Sequence, residues 1–533
     1  MKRSLGWRSS FGRHSSFGRQ GATQTALGVG LFGAVTLIAA SAGATGGLQV
    51  PDAGAQQVGR GGAWVARAND PLAAYMNPSA MSFQASGVHL GSHLMFQNAC
   101  FTRLDEEAKP VSPGNAIPGP GAEGGPSAET CTNTIFPNPQ LAGVWRVNDE
   151  LALGLAVLGP HTAGVVDWPE SVDYERNGKA RTQPAPNRYL LVSQASLLVF
   201  PTISASYAIT PELSLGAGFV WGIAAADFTT YTESTSTTKQ DDFTRDVRAR
   251  LQAEDLFIPG FVLGATWRPS KYLDVGASYR FSDAIRTRTK LTLTSQVWMA
   301  GGAPDESPCP DDDPECNVTV DEDAGSLEMA IPMDAQVGAR LHVPLEEASE
   351  RPDWASGSAA VRDPLSQDRF DVELDVTWAN NSSLQNIGLR FDPGIAVKGT
   401  PGEVPQNGDI PHEWRDVLGV RLGSDVTIVP NFVGARAGGF FESKGQDDAY
   451  LNLDFHMGWK AGLSAGGVVR LGPVDVDVAY AHVFYGTLDN GGKGAVKALS
   501  GDATTGYRSQ QAINGGRLTQ SLDEVALGGT VRF

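Results

Sequence analysis

Apolar and polar residues alternate one by one along many stretches of this chain. In residues 370–378, apolar side chains stand at every second position from Val372 to Trp378, and acidic residues or threonine stand between them. The same period recurs elsewhere, for example in 273–281, 474–484 and 525–533. Because successive side chains of a strand point to opposite faces, this period predicts strands with one apolar and one polar face. Such strands build either a soluble antiparallel sheet with one wet face or a transmembrane barrel.

The length and spacing of the segments favour the barrel. Several reach the roughly 9–11 residues that a tilted strand needs to cross a membrane. Short links join them at one end and long polar or acidic segments at the other, which is typical of outer-membrane barrels. We therefore predict an all-β fold, a transmembrane antiparallel barrel of about fourteen strands. The strands are expected near 87–97, 139–147, 151–158, 202–209, 213–230, 257–268, 272–298, 326–343, 369–390, 413–429, 432–442, 455–470, 473–488 and 522–533.

Aromatic residues stand near many of the expected strand ends, as in the interfacial girdles of membrane barrels. They are Trp145, Trp267, Trp378, Trp414, Trp459, Phe484 and Tyr485. The last strand ends on Phe533, which resembles the C-terminal signature read by the outer-membrane barrel assembly machinery. We expect that machinery, outer-membrane lipid and lipopolysaccharide as partners.

Charge and hydropathy narrow the function classes. The formal net charge of −18 argues against nucleic acid as a partner. The mean hydropathy is too low for a polytopic helical membrane protein, but alternating barrel strands average out to such a value.

The N-terminal segment has the pattern of a secretory signal peptide. Residues 1–20 carry five basic residues and no acid, and residues 21–40 carry no charge. Ala42-Gly43-Ala44 then offers small residues for cleavage. We expect a signal peptide over residues 1–44, with an anchor helix as the alternative, and export to the outer membrane of a Gram-negative bacterium.

A glycine-rich segment follows the expected signal peptide. Residues 46–82 read GGLQVPDAGAQQVGRGGAWVARANDPLAAYMNPSAMS, with too many glycines for a helix and no alternation. This segment resembles the N-terminal hatch of the FadL family, outer-membrane channels for long-chain fatty acids and aromatic hydrocarbons. The residues that carry the hatch resemblance include Gly54, Gly59, Gly61, Asn77 and Pro78. Segments 151–160, 201–219, 275–281 and 375–380 and the terminal VRF resemble strands of that family in the same order.

The resemblance implies a domain organisation and a function. Residues 45–83 are expected to form a hatch that plugs the lumen, and residues 84–533 a barrel with long extracellular loops. Irregular backbone is tolerated at membrane depth only where it is buried in protein or lines a cavity, which fits a plug. The implied activity is passive uptake of hydrophobic or amphipathic ligands, above all long-chain fatty acids, with no enzyme chemistry, cofactor or metal. The alternative is a general diffusion porin or an adhesin-like barrel.

Two candidate sites concern the ligand. In residues 241–257, Phe243, Val247 and Leu251 fall at helical spacing. The resemblance implies that a helical outer loop carrying these residues and Phe257 is a first hydrophobic landing site. The alternative is that they pack the loop onto the barrel rim. The resemblance also implies a lateral opening at the third strand, near Gly154 and Gly159.

The four cysteines fall in pairs within two inter-strand segments on the expected outer side. Because an exported chain meets an oxidising compartment, we predict the disulfides Cys100–Cys131 and Cys309–Cys316. Free thiols or crossed pairing are the alternatives. His89 and His93 share a face of one expected strand, but the sequence indicates no third ligand for a metal.

Overall fold

The computed structural model describes residues 54–533 with several gaps. The gaps are 112–126, 160–163, 177, 234–242, 244–245, 296–297, 299–316, 321–323, 346–360, 396–403, 405, 498–500, 503–506 and 509–511. The expected signal peptide, residues 1–44, lies outside the described residues.

Fourteen strands form a closed antiparallel barrel. Each strand pairs with the next along the chain, and β1 also pairs with β14, so the sheet has no free edge. The fold prediction is confirmed. The strands are β1 (Gly87–Arg103), β2 (Glu129–Arg146), β3 (Leu151–Leu158), β4 (Thr202–Ala208), β5 (Leu213–Glu233), β6 (Asp246–Trp267), β7 (Leu273–Ser282), β8 (Asp334–Pro344), β9 (Asp368–Ala379), β10 (Val417–Val429), β11 (Val433–Glu442), β12 (Lys460–Leu471), β13 (Val474–Tyr485) and β14 (Gly516–Arg532).

The connections differ strongly between the two ends of the barrel. Links of two to five residues follow β2, β4, β6, β10 and β12, and the longer segment 345–367 joins β8 to β9 at the same end. Much longer connections join the strands at the other end, and most of the further strands lie there. These are Gly164–Asp167, Ser171–Arg176, Lys179–Pro184, Ser193–Val199, Ile285–Thr294, Asn317–Val320, Gly325–Met329, Asn386–Phe391, Ile410–Pro411, Leu488–Asp489, Gly501–Asp502 and Tyr507–Arg508.

The helices are short. They are α1 (Ala55–Gly59), α2 (Ala73–Met76) and α3 (Pro364–Gln367), with 3₁₀ turns at Pro78–Phe83, Asn381–Ser383 and Asp448–Tyr450. None of the helices in the described part of the chain is long and apolar enough to cross a membrane.

Three segments that were each expected to form one strand form two strands instead, namely 272–298, 326–343 and 369–390. In each, the chain forms a barrel strand and a separate short strand. The short strands pair with one another beyond the barrel wall, so that Ile285–Thr294 pairs with Gly325–Met329, which pairs with Asn386–Phe391. The barrel strand and the short strand that follows or precedes it each have one covered and one exposed face. The apolar–polar alternation therefore continues from one strand to the other, and it does not reveal that the two strands pair with different neighbours.

The apolar face of the barrel points outward. In β9, Val372, Leu374 and Val376 are 40–50 % exposed, whereas the acidic residues between them are at most 1 % exposed. A soluble sheet would have the reverse arrangement, because ionised carboxylates belong in water. The outer face is therefore the lipid face, and the polar side chains line the lumen.

The girdle prediction holds for several aromatic residues and fails for Trp414 and for Tyr485, which packs against a buried cluster on the inner face of the barrel. Trp145, Trp267 and Trp459 point outward, and the ring of Trp145 lies 6.1 Å from that of Phe533. Trp414 is buried instead, because the connection before β10 folds inward and packs the indole edge-on against His412.

Candidate functional site

Residues 54–83 are enclosed by the barrel strands. All of them are buried except Asn69 and Met76, which are half-buried. The helix α1 contacts β11–β14 and β1, α2 contacts β2–β4, and the 3₁₀ turn Pro78–Phe83 contacts β2–β6. The segment thus reaches most sides of the lumen, and we call residues 54–83 the hatch segment.

Glycines in the wall let the hatch segment approach the strands closely. A Cβ atom on Gly276 would lie 2.3 Å from the carbonyl oxygen of Val65, and one on Gly438 would lie 2.1 Å from the carbonyl carbon of Arg60. Within the segment, Gly61 has φ of 61°, which favours glycine. Larger residues at these positions would displace the backbone of the segment.

The remaining residues of the predicted hatch motif lie in the same segment. Gly54 has φ of 112° just before α1, and Gly59 lies against Arg436. Asn77 Nδ2 donates to the carbonyl oxygen of Val65 at 2.8 Å, and Pro78 begins the 3₁₀ turn. Asn77 therefore ties two parts of the segment together.

Two arginines of the hatch segment bind carboxylates of the wall. Arg60 forms ion pairs of 2.7 Å with Asp371, 3.0 Å with Glu373 and 2.6 Å with Asp425. Arg67 contacts Asp371 as well and forms a 2.9 Å pair with Asp425. Buried charges persist only when they are paired in this way. The sequence analysis missed these contacts, although the acidic face of β9 and the two arginines are visible in the sequence.

Backbone amides of the hatch segment bind the same acidic strand. The amides of Trp64 and Val65 donate to Asp375 at 2.8 and 3.1 Å, and the amide of Ala66 donates to Glu373 at 2.7 Å. These contacts satisfy backbone groups that have no helix or strand partner. β9 is thus the principal polar contact of the segment.

An inner cavity lies against the hatch segment. Its non-atom space is about 1060 Å³, part of it open to solvent. Apolar side chains and polar groups alternate around it. The lining includes Gln57, Met76, Leu198, Phe200, Arg280, Ile331, Asp334, Gln336, Trp378, Val417, Arg421, Glu442, Met457 and Lys460.

The charged groups of the inner cavity leave a surplus of positive charge. Glu442 lies between Arg421 and Lys460, at 2.9 and 2.7 Å. Arg280 pairs with Asp334 at 2.9 Å. Among the residues that line the cavity, three cations thus face two carboxylates, and the Asp375 carboxylate behind the lining also interacts with Arg421. Arg421 Nε has no hydrogen-bond partner among the described atoms. A buried site of this kind favours an anion.

A second cavity, the outer pocket, lies beside the inner cavity. It has about 560 Å³ of space and is lined mainly by small and apolar residues, among them Ala224, Phe228, Ile285, Met329, Ile387 and Phe455. Its charged lining residues in the described part of the chain are Glu254 and Asp255. Leu198 lines both cavities.

Among the described residues, the pairing of β3 with its two neighbours stops near the expected lateral opening. β3 ends at Leu158, and among the described residues β2 pairs with β3 only over Gln140–Arg146. Opposite, Phe200 and Pro201 separate β4 from the strand Ser193–Val199. Gly154 faces the hatch segment beside Met81, and the carbonyl of Gly159 accepts a 3.2 Å hydrogen bond from Asn138. An opening at this place stays a prediction.

The helix expected over residues 241–257 is wrong. Residues from Asp246 onward belong to β6, and Phe243 is the one residue of 241–245 that the structure describes. Val247 is buried and Leu251 half-buried, whereas Phe257 points outward and packs on Trp221. These residues do not share one surface, and contact with a ligand stays a prediction.

Cys100 and Cys131 form a disulfide between directly paired residues of β1 and β2. The cysteines therefore lie in the ladder and not in a loop, because both strands extend beyond their expected ends. Cys309 and Cys316 lie outside the described residues.

Comparisons with known proteins agree with this architecture. A sequence profile of the outer membrane protein transport protein family (OMPP1/FadL/TodX) matches residues 35–510. No curated protein matches the chain significantly. A solved FadL homologue from Pseudomonas aeruginosa is 19 % identical, with a TM-score of 0.64, over 92 % of this chain and 100 % of that chain. The toluene transporter TodX from Pseudomonas putida is 13 % identical, with a TM-score of 0.55, over the same shares.

The structural likenesses show a common fold, and the profile covers most of the chain. The chain therefore belongs to the outer membrane protein transport protein family (OMPP1/FadL/TodX), whose members carry hydrophobic compounds across the outer membrane of Gram-negative bacteria.

Proposed function

We propose that this protein is a passive uptake channel for amphipathic carboxylic acids, above all long-chain fatty acids. The observation that carries the proposal is the inner cavity, where a surplus positive charge lies among apolar side chains. A fatty acid matches both features, because its carboxylate neutralises the surplus and its alkyl chain covers the apolar lining. The driving force is burial of alkyl surface, about 0.8 kcal/mol per CH₂ group.

The hatch segment is the proposed gate. Residues 45–83 form the hatch domain in this proposal, and residues 84–533 form the barrel. A ligand in the inner cavity contacts the hatch side chains Gln57 and Met76 directly. It leaves when the segment shifts, or through the wall near Gly154–Gly159, where the described part of β3 ends at Leu158.

A comparison of two ligands with equal chains tests the proposal. The barrel in lipid nanodiscs is titrated with hexadecanoic acid and with hexadecanol. We expect the acid to bind roughly 10- to 100-fold more tightly, since a charge-assisted hydrogen bond contributes about 1.5–3 kcal/mol. Equal affinities for the two ligands would contradict the proposal.

The variant Arg421→Gln sharpens this test. It leaves Glu442 paired with Lys460 and removes the surplus charge, so the preference for the acid should disappear while hexadecanol still binds. The matched control is Arg250→Gln, because Arg250 is exposed and pairs with Asp227 outside the cavity. The control should keep the preference.

A neutral aromatic hydrocarbon is the second candidate ligand. The outer pocket favours it, because Phe228 and Phe455 line that pocket and its charged residues are acidic. The solved relative TodX is a toluene transporter. Binding of toluene that is weakened by Phe228→Ala and unaffected by Arg421→Gln would support this function.

A further inference from the structure

We infer that the inner cavity and the outer pocket hold the two ends of one ligand, and that Leu198 sets the longest alkyl chain the site accepts. The inference rests on the proposed function. In it, the carboxylate lies in the inner cavity and the alkyl chain extends past Leu198 into the outer pocket.

Side chains form the boundary between the cavities. Leu198 lines both and is 6 % exposed. On the connection between β11 and β12, Phe455 lines the outer pocket, and Met457, two residues later, lines the inner cavity. An alkyl chain that extends from one cavity into the other would therefore have to pass these three side chains.

The backbone around these side chains is well anchored. Leu198 pairs with Ala224 in the ladder to β5. Asp454 contacts His412 at 3.1 Å, the amide of Met457 donates to Gln446 at 2.8 Å, and Asn514 donates to the carbonyl of Leu451 at 2.9 Å. A change of side chain at position 198 should therefore alter the passage more than the surrounding fold.

The charges of the two cavities impose one orientation. The inner cavity carries the surplus cation, whereas Glu254 and Asp255 line the outer pocket. A carboxylate is attracted to the first and repelled by the second. The tail, rather than the head group, therefore occupies the outer pocket.

The test measures dissociation constants for saturated monocarboxylic acids of 8 to 18 carbons with the full chain in nanodiscs. In the unaltered protein, affinity should rise up to about 4-fold per added CH₂ group until the outer pocket is filled. Leu198→Trp should weaken the binding of long acids much more than that of short acids, so that the affinity stops rising at a shorter chain length. With Leu198→Phe, the affinity should stop rising at an intermediate chain length. With Leu198→Ala, the affinity should continue to rise with chain length as in the unaltered protein.

The matched control is Ile203→Trp, which adds the same ring on the lipid face, where Ile203 is 67 % exposed. It should reproduce the unaltered chain-length profile. Heat modifiability on SDS gels shows that each variant is folded. If Leu198→Trp and Leu198→Phe change the affinity for all acids by the same factor, or for none, the inference is overturned. If the unaltered protein binds none of the acids, the proposed function itself fails.

Discussion

Arg60 contacts three carboxylates of two neighbouring strands with a single guanidinium group. The alternation in β9 indicated that Asp371 and Glu373 share a face, but it did not indicate which face is lumenal or what fills the lumen. Only the folded structure shows these contacts, because Arg60 is more than 300 residues away from Asp371 and Glu373 in the chain. The family resemblance predicted the hatch motif in this segment, but the sequence did not indicate that Arg60 contacts these carboxylates.

The variant Arg60→Met tests this contact. Removing one partner of a buried ion network leaves unpaired charge and costs about 3–5 kcal/mol. We expect a folded barrel whose hatch segment is released more often, seen as more frequent open events in planar bilayers. Arg250→Met is the control, since an exposed pair contributes little. Equal opening in both variants would contradict the role of Arg60.

Asp70 of the hatch segment should make the proposed closure of the segment depend on pH. Burial raises the pKa of Asp70 to about 7, opposed by a hydrogen bond from the Leu72 amide. A released, solvated Asp70 titrates near 4. Between about pH 4 and 7, the Asp70 carboxyl group therefore carries a proton only in the closed state. Because the closed state binds more protons than the open state, the free energy that favours closure falls as the pH rises.

We expect open events to become more frequent from pH 5 to pH 8 in the unaltered protein. Asp70→Asn cannot ionise, so its opening should vary much less over this range. Bilayer recordings at fixed salt measure both. If Asp70→Asn shows the same pH dependence as the unaltered protein, another titratable group causes the effect.

The strand β6 explains why a helix was expected where none exists. Phe243, Val247 and Leu251 are four residues apart, and a spacing of four fits one face of a helix and also one face of a strand. Phe257 would share that face in a regular strand. A β-bulge between Asp255 and Ile258 changes the phase and turns Phe257 toward lipid. The strand itself was predictable, and the bulge was not.

The disulfide between β1 and β2 should add little to the integrity of the barrel. Cys100 and Cys131 form one pair within a continuous register that runs from Gly87 to Thr102. We expect the double variant Cys100→Ser and Cys131→Ser to remain heat-modifiable on SDS gels without boiling. A peptide map without reductant checks the native linkage. Loss of the fast-migrating form would show that the disulfide is needed for barrel assembly.

At the scale of the whole molecule, we expect the closed barrel to fold without the enclosed hatch segment. Every barrel strand has two neighbours in the sheet, so the wall does not depend on the hatch segment for backbone hydrogen bonds across strands. Deleting residues 54–76 should therefore leave a folded barrel. The conductance in planar bilayers should rise because the lumen is no longer filled.

The channel that lacks residues 54–76 should also select cations over anions. Without Arg60 and Arg67, the lumenal face of β9 presents Asp371, Glu373 and Asp375. Among the described residues, the wall side chains that donate to these carboxylates are Arg340 and Gln336. Water would ionise and solvate them, and a ring of carboxylates attracts cations. A salt gradient across the bilayer should give a reversal potential of cation-selective sign. Adding Asp371→Asn and Glu373→Gln should reduce that potential without reducing the conductance. If the intact protein already conducts like a general porin and the deletion changes neither quantity, the lumen is not plugged and the porin alternative holds.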